Sequence, residues 1–413
     1  MRPKHPKSLV IEAKFAAMHS SYWLSLCAFS GFMAVYLSYY GFSDSMIGLT
    51  ASLISAVTIF YQLGISTFCD NHPKVPLKHI ILIVYLVILA LVAILALVPM
   101  PVVMMLLVYS LTGGLANGMP GLYNAQFVQF INAGLPLNMG WPRGMSAILY
   151  ALFAYFLGLL LESYTASILM PITLICIVVA IVMALILPKP EQVTENTPVQ
   201  ALATPPERTS LLKLLKGNQV LTVFLLSGFF MSAGQTNTFL FLTRIIEQKG
   251  GSEAALGLAM FLQAGVEMPA MLMTPRLLRR FRARAILTVS VTAYFIKSVI
   301  IYLSGGIGGI YFAMAFSVFC YGLYGVTSVY FVNDIVRQNE KVRAQSLIFI
   351  SGALASIIGN TTAGVVVQSL GIGALNLICM ALQAVAAMLM AYCAWLQHKK
   401  DKQIPSMKLP FLS

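Results

Sequence analysis

The chain has 413 residues, of which 59% are hydrophobic and only 9% charged, with a mean hydropathy of +0.85. Soluble domains carry about 25% charged residues, so a soluble enzyme or binding module is excluded and a polytopic membrane protein is indicated. A net charge of +13 would suggest nucleic acid in a soluble chain, but here the basic residues fall in short segments between apolar runs. That is the positive-inside pattern, and no nucleic-acid partner is expected.

The N-terminus, MRPKHPKSLVIEAK, is basic. The apolar run after it is too long for a signal-peptide core and lacks a small-residue cleavage site, so it reads as a cytoplasmic tail leading into the first span. At about 20 apolar residues per crossing, twelve helices are predicted: 15–40, 46–69, 78–99, 101–124, 142–163, 166–187, 219–243, 254–275, 285–303, 308–332, 344–368 and 371–396. The longest polar stretch, Pro188 to Gly217, is rich in Pro, Thr and Glu and separates six spans from six. The expected domains are an N-terminal bundle over 1–187, a cytoplasmic linker over 188–217, and a C-terminal bundle with a cytoplasmic tail over 218–413. The linker ends in SLLKLLK, the pattern of a short amphipathic helix on the membrane surface. Six cysteines lie mostly inside apolar runs without metal-site spacing and read as free core thiols. No cofactor or metal is expected, and without a phosphate-binding loop neither is direct ATP drive.

With both termini inside, 23 of the 26 Lys and Arg fall on the cytoplasmic side. Arg244 and Lys249 are left outside, and Lys297 alone sits within a span. The reversed orientation would invert that bias. The chain also repeats itself. GFSDSMIG, Gly41 to Gly48, matches GGSEAALG, Gly250 to Gly257, at an offset of 209. PRGMS, Pro142 to Ser146, echoes VRAQS, Val342 to Ser346, at an offset of 200. The first pair joins the first and second spans of each half on the outer side, and the second pair opens each fifth span. Short turns of this kind recur by chance, but their equivalent placement in a six-plus-six layout is the pattern of a rocker-type transporter with its site between two halves.

Phe261 to Arg280, FLQAGVEMPAMLMTPRLLRR, holds one carboxylate, Glu267, in an apolar run ending in Arg276, Arg279 and Arg280. An ionised carboxylate in hydrocarbon costs at least ~2.5 kcal/mol, so it persists only if protonated, paired or facing a wet cavity. Pro269 frees a backbone carbonyl nearby, an arrangement that suits transport. The plain alternative is a structural acid satisfied by a neighbouring span. At ~1.5 Å per residue, Lys297 lies ~18 Å from the cytoplasmic end of span nine and Glu267 ~20 Å from the outer end of span eight, within reach of a lysine stem. We expect the two to pair, Glu267 carrying the proton and Lys297 setting its release. Other polar residues within spans include His19, Tyr22, Trp23, Gln62, Gln235, Asn237, Thr238, Asn360 and Gln383. Any one is more often glue between helices than a ligand. Among them Gln235 and Asn237 of span seven, with Asn360 of span eleven, are the candidate substrate ligands. Asp334 and Arg337, at the end of span ten, read as a cytoplasmic gate or cap.

YGFSDSMIG, LNMGWPRGMSAILYALFAYFLG and VEMPAMLMTPRLLRRF together resemble, over the whole chain, the major facilitator superfamily. Within it they are similar to the branch that holds the lactose permease and the nucleoside–proton symporters. The resemblance implies an all-α membrane fold of twelve helices in two pseudo-symmetric six-helix bundles. It also matches Arg143 to the arginine that holds sugar hydroxyls in the permease, against the plain reading of an interfacial positive charge. The permease's acidic partner in span four is missing, and PGLYNAQFVQF offers Asn124, Gln126 and Gln129 instead, which suits an uncharged or hydroxyl-rich substrate. The family's loop motif after span two is reduced to STFCDNHPKV, keeping Asp70 and Lys74, so Asp70 is carried over as a gating residue. The antiporter Gly-Pro pair of span five is absent, and span ten, FCYGLYGVTSVYFVND, lacks the permease's mid-membrane His and Glu.

The expected protein is a monomeric, proton-coupled secondary transporter of a small organic solute such as a sugar or nucleoside. It would sit in the cell membrane, with uptake favoured, and would not be an enzyme. The alternative in mechanism is an efflux antiporter for drugs or sugars. A membrane-embedded acyltransferase would want a His and an acid at motif spacing, and no H-x-x-x-x-D occurs. A non-transporting sensor would bind ligand without flux.

Overall fold

In hydrocarbon a backbone must satisfy its own polar groups, and a long apolar run does so as a helix. The computed structural model describes residues 6–72, 75–135, 137, 140–188, 211–337 and 340–403, and every element among them is helical. The first half holds α1 (Pro6–Leu26), a π-helical turn (Cys27–Gly31), α2 (Met33–Tyr39), α3 (Asp44–Asn71), α4 (Leu77–Leu97), α5 (Val102–Asn132), α6 (Gly140–Ser163) and α7 (Leu169–Ile186). The second holds α8 (Leu211–Gly217), α9 (Gln219–Leu240), α10 (Leu242–Gln248), α11 (Glu253–Leu278), α12 (Ala283–Leu303), α13 (Ile307–Ala315), a 3-10 turn (Phe316–Phe319), α14 (Tyr321–Ile335) and α15 (Lys341–Gln403).

Nine helices among the described residues are long and apolar enough to cross a membrane, or ten if the bent α1–α2 pair is one span. Two features separate that tally from the expected twelve. α15 runs 63 residues and merges the regions predicted as spans eleven and twelve across Gly371, whose φ of 81° no other residue type adopts readily. α9 occupies the predicted seventh span and is less apolar, because it carries Gln235, Thr236, Asn237 and Thr238. The linker expected over 188–217 lies outside the described residues except for Pro188 and α8, where Leu214 is buried in an apolar cluster and Lys216 is exposed.

The chain forms two compact units that cut across the sequence halves. One comprises Met1–Ala203, Phe239–Gly265 and Ile357–Ile372, and the other Thr204–Thr238, Val266–Ser356 and Gly373–Ser413. In the first, α1 packs along α6 and α7, and α3 along α5. Its core is aromatic: Phe29 stacks on Tyr109 at 4.2 Å, and the Tyr109 hydroxyl donates to the Phe29 carbonyl. Lys78 donates to the carbonyls of Leu185 (2.7 Å) and Leu187 (2.6 Å), placing a cation where the α7 dipole is negative. In the second unit, Phe224, Leu287, Val291, Phe331, Leu347 and Met390 belong to one buried cluster.

The 209-residue repeat is written in the backbone. Phe32 breaks the first span at φ −105°, ψ 22°, and Phe241 breaks the seventh at φ −102°, ψ 19°; both side chains are fully buried. Gly41 and Gly250 follow at φ 80° and 78°. Around them the same hydrogen bonds recur, such as Phe42 N–H to Leu37 O (3.0 Å) and Gly251 N–H to Ile246 O (2.9 Å). A left-handed residue is needed to stop each helix and turn into the next, and glycine supplies it without a Cβ clash.

Candidate functional site

The second unit holds buried charge. Lys297 on α12 is 2% exposed, and Glu267 on α11 is half-buried. The lysine's electrostatic partners include the Cys320 thiol and the Glu267 carboxylate, so the expected couple falls within one compact unit. Two backbone irregularities frame it. α11 continues through Pro269, which cannot donate to the Gly265 carbonyl. The tenth span breaks at Cys320 (φ −91°, ψ −106°), and its carbonyl accepts from the Ser290 hydroxyl of α12 at 2.8 Å. Gly322 lets α14 reach α11 here: a Cβ on it would lie 2.8 Å from the Glu267 carbonyl oxygen. The Thr274 hydroxyl donates to Gly322 O at 3.1 Å and fastens the crossing.

Beside this pair lies a neutral network. Gln383 contacts the Ser298 hydroxyl and donates to the Tyr294 carbonyl, and its oxygen accepts from the Gln235 backbone N–H at 3.3 Å. Asn237 is buried, and its side-chain oxygen has no hydrogen-bond partner among the described residues. An orphaned buried amide oxygen costs about 1–3 kcal/mol, so it is a place where a ligand donor or water would be welcome.

Around Arg143 the first unit offers hydrogen bonds. Arg143 on α6 is exposed and donates to Asn124 Oδ1 on α5 at 3.2 Å, so these two expected residues meet. Next to them His19 Nδ1 lies 2.7 Å from Ser146 Oγ, which itself donates to the Pro142 carbonyl at 2.8 Å. Trp23 Nε1 donates to His19 Nε2 at 3.4 Å. Both ring nitrogens are thereby assigned: Nδ1 carries the proton and Nε2 accepts. Ser146 closes the PRGMS motif, yet nothing in that motif signals that it would hold His19 in one tautomer.

The end of this unit that carries the Gly41 and Gly250 turns is closed by two glycine crossings. A Cβ on Gly48 of α3 would stand 2.9 Å from Gly364 Cα, and one on Gly257 of α11 3.0 Å from Gly158 Cα. Gly48 and Gly257 are the closing glycines of the two matched motifs. Asn360 sits at the first crossing, its carbonyl against Gly48, and its buried side-chain oxygen has no hydrogen-bond partner among the described residues. Arg244 ties the same end together, reaching Asp44 Oδ1 (2.9 Å), Glu247 Oε2 (3.0 Å) and Ser38 Oγ (3.2 Å). Burial works against its charge, but the hydrogen bonds and charges of Glu247 and Asp44 outweigh that and raise its pKa. From sequence Arg244 is only a charge left outside. The i,i+4 spacing of small residues, Ala154 with Gly158, was the available signal for a crossing.

Of the expected gating residues, the Asp70 side chain lies outside the described residues. Asp334 and Arg337 are exposed at the end of α14, and among the described residues no ion pair joins them; the Arg337 backbone N–H bonds to Glu340 Oε2 at 3.2 Å.

Residues 16–360 match the family description Major Facilitator Superfamily, and the chain belongs to that family. Among curated proteins none matches it by sequence. The solved structure of the nucleoside transporter NupG superposes with a TM-score of 0.74 at 15% identity, covering 95% of this chain and 99% of that one. A mutant of NupG gives 0.77 at 16% identity, with 93% and 99% covered. The human organic anion transporter MFSD10 gives 0.61 at 15% identity, with 94% and 100% covered. A bacterial homolog of the human lysosomal transporter Spinster gives 0.66 at 12% identity, with 96% and 99% covered. The protein is a multi-pass membrane transporter and not an enzyme.

Proposed function

We propose that the chain is a proton-coupled symporter that takes a small, uncharged, hydroxyl-bearing solute of the nucleoside or sugar kind across the cell membrane as a monomer, with both termini cytoplasmic. The observation that carries this reading is the fully buried Lys297 electrostatically coupled to half-buried Glu267. A lysine in that position pairs with the ionised carboxylate while they are close. When the helices rock apart, the isolated carboxylate takes a proton, which ties protonation to conformation. The candidate substrate ligands are Arg143, Asn124, Gln235, Asn237 and Asn360, neutral donors and acceptors with a single guanidinium. The orphaned side-chain oxygens of Asn237 and Asn360 support their place in that set. The likeness to NupG supports a nucleoside as the first solute to try. The test is pH-gradient-driven uptake beside substrate exchange in proteoliposomes for Glu267→Gln. Exchange without accumulation is expected, and a variant that still concentrates substrate against its gradient ends the proposal.

A further inference from the structure

One face of the second unit carries a feature that transport does not use. An open groove of about 370 Å³ runs along α12, lined by Thr288, Val289, Thr292, Ile296, Phe316 and Phe319. Val289, Ile296 and Phe319 are exposed, as a surface bathed in acyl chains requires. Phe316 and Phe319 come from the 3-10 turn just before the Cys320 break, so the groove exists because the tenth span is interrupted there.

The groove itself is apolar, and a basic segment precedes it in the chain. From Thr288 to Ile296 it follows eight residues of helix, ~12 Å, the reach of most of an acyl chain. One turn before Thr288 the helix starts at Arg282 and Ala283, and the segment around that start is Arg276, Arg279, Arg280, Arg282 and Arg284, with Phe281 exposed among them. Among the described residues this cluster has one carboxylate partner, Asp401, which takes Arg284 (2.6 Å) and Arg282 (3.3 Å). The Arg282 side chain remains 69% exposed despite that contact. Five guanidiniums against one carboxylate leave an excess of positive charge, and this segment leads along the chain into the Thr288 end of the groove.

We infer that this face is a binding site for one anionic phospholipid, its phosphate on Arg279, Arg280 and Arg282 and one acyl chain along α12 against Phe316 and Phe319. The charge excess selects an anionic headgroup over a zwitterionic one. Because Ser290 of α12 holds the Cys320 carbonyl, a chain seated in the groove packs on the hinge of the tenth span.

The experiment is binding alone, independent of any substrate. The full chain is delipidated in detergent and titrated with phosphatidylglycerol or phosphatidylcholine of matched chains, and native mass spectrometry counts bound lipids. One phosphatidylglycerol should be retained with at least about ten-fold preference, and the R279Q/R280Q/R282Q variant should lose the preference while binding both lipids weakly. Ile296→Trp, which fills the slot and leaves the arginines, should lower retention of both. A phosphatidylglycerol with a photoreactive acyl chain should label the peptide containing Phe316 and Phe319. Equal retention of the two lipids by the unaltered chain, or labelling spread evenly over the apolar surface, would mean ordinary annular lipid and overturn the site. Should the triple variant fail to fold, the labelling map and Ile296→Trp still decide.

Discussion

α3 and α11 stand at matching points of the repeat, and comparing them separates what the two halves share from what only one possesses. Both begin after a left-handed glycine, both carry an acid in the first turn, and both cross a partner helix at a glycine one turn in. Deeper, the chemistry parts. At the offset of 209, Glu267 of α11 corresponds to Thr58 of α3, whose hydroxyl is satisfied by the Ile54 carbonyl (2.8 Å) and the Gly114 carbonyl (3.2 Å). α4, the neighbour that corresponds to α12, has no charged residue beyond Lys78 and His79 at its start. Backbone geometry is thus common property, while a carboxylate midway along the span belongs to α11 and not to α3.

The largest expected effect breaks that contrast directly. Glu267→Gln should abolish uphill accumulation, which one coupled proton supports at about tenfold per pH unit. Thr58→Val should leave accumulation intact and cost stability of about 1 kcal/mol through a lost hydrogen bond. Parallel uptake and unfolding measurements on the two variants test both, and equal losses of accumulation would erase the distinction.

Next comes Arg143→Lys, expected to lose most transport, because an ammonium cannot bridge two acceptors as a planar guanidinium does. Normal initial rates in the Lys variant would return Arg143 to an ordinary interfacial charge. The shared geometry is sharpened by Gly48→Val and Gly257→Val, each forcing a side chain into a helix crossing at about 1–3 kcal/mol. If the corners are equivalent, both variants lower the unfolding midpoint in detergent by similar amounts. The smallest effect belongs to Asp44→Asn. It leaves Arg244 with Glu247 as its carboxylate partner beside the Ser38 hydroxyl and should cost about 0.2–1 kcal/mol, less in high salt, read as a salt-dependent shift of the same midpoint.

The fold was largely legible because hydrocarbon imposes one rule on every span, and an apolar run of twenty residues announces itself. The repeat was legible for the same local reason: a turn needs glycine at a fixed place, so GFSDSMIG and GGSEAALG look alike. Glu267 and Lys297 stood out because charge inside an apolar run is costly. What escaped was contact. His19 with Ser146 spans 127 residues, and Arg244 with Asp44 spans 200. Neither partner is unusual for its own helix, and periodicity says nothing about which helices meet. Asn360 escaped in the same way: nothing in its own span announces that its carbonyl lies against Gly48. The breaks at Phe32 and Phe241 were hidden because phenylalanine is an ordinary helix resident, unlike the proline that usually marks a kink.

Gly371 bears on how this chain can evolve. At Gly371 the chain turns on one glycine, with helix on either side. Such a joint has no slack. Inserting one residue rotates everything after it by about 100° about the helix axis and carries every lipid-facing side chain off its face. Lengthening or shortening should therefore be purged there in descendants of this chain, while side-chain substitutions on either flank drift freely. Epitope tags, fluorescent fusions and circular permutation will meet the same refusal at this corner.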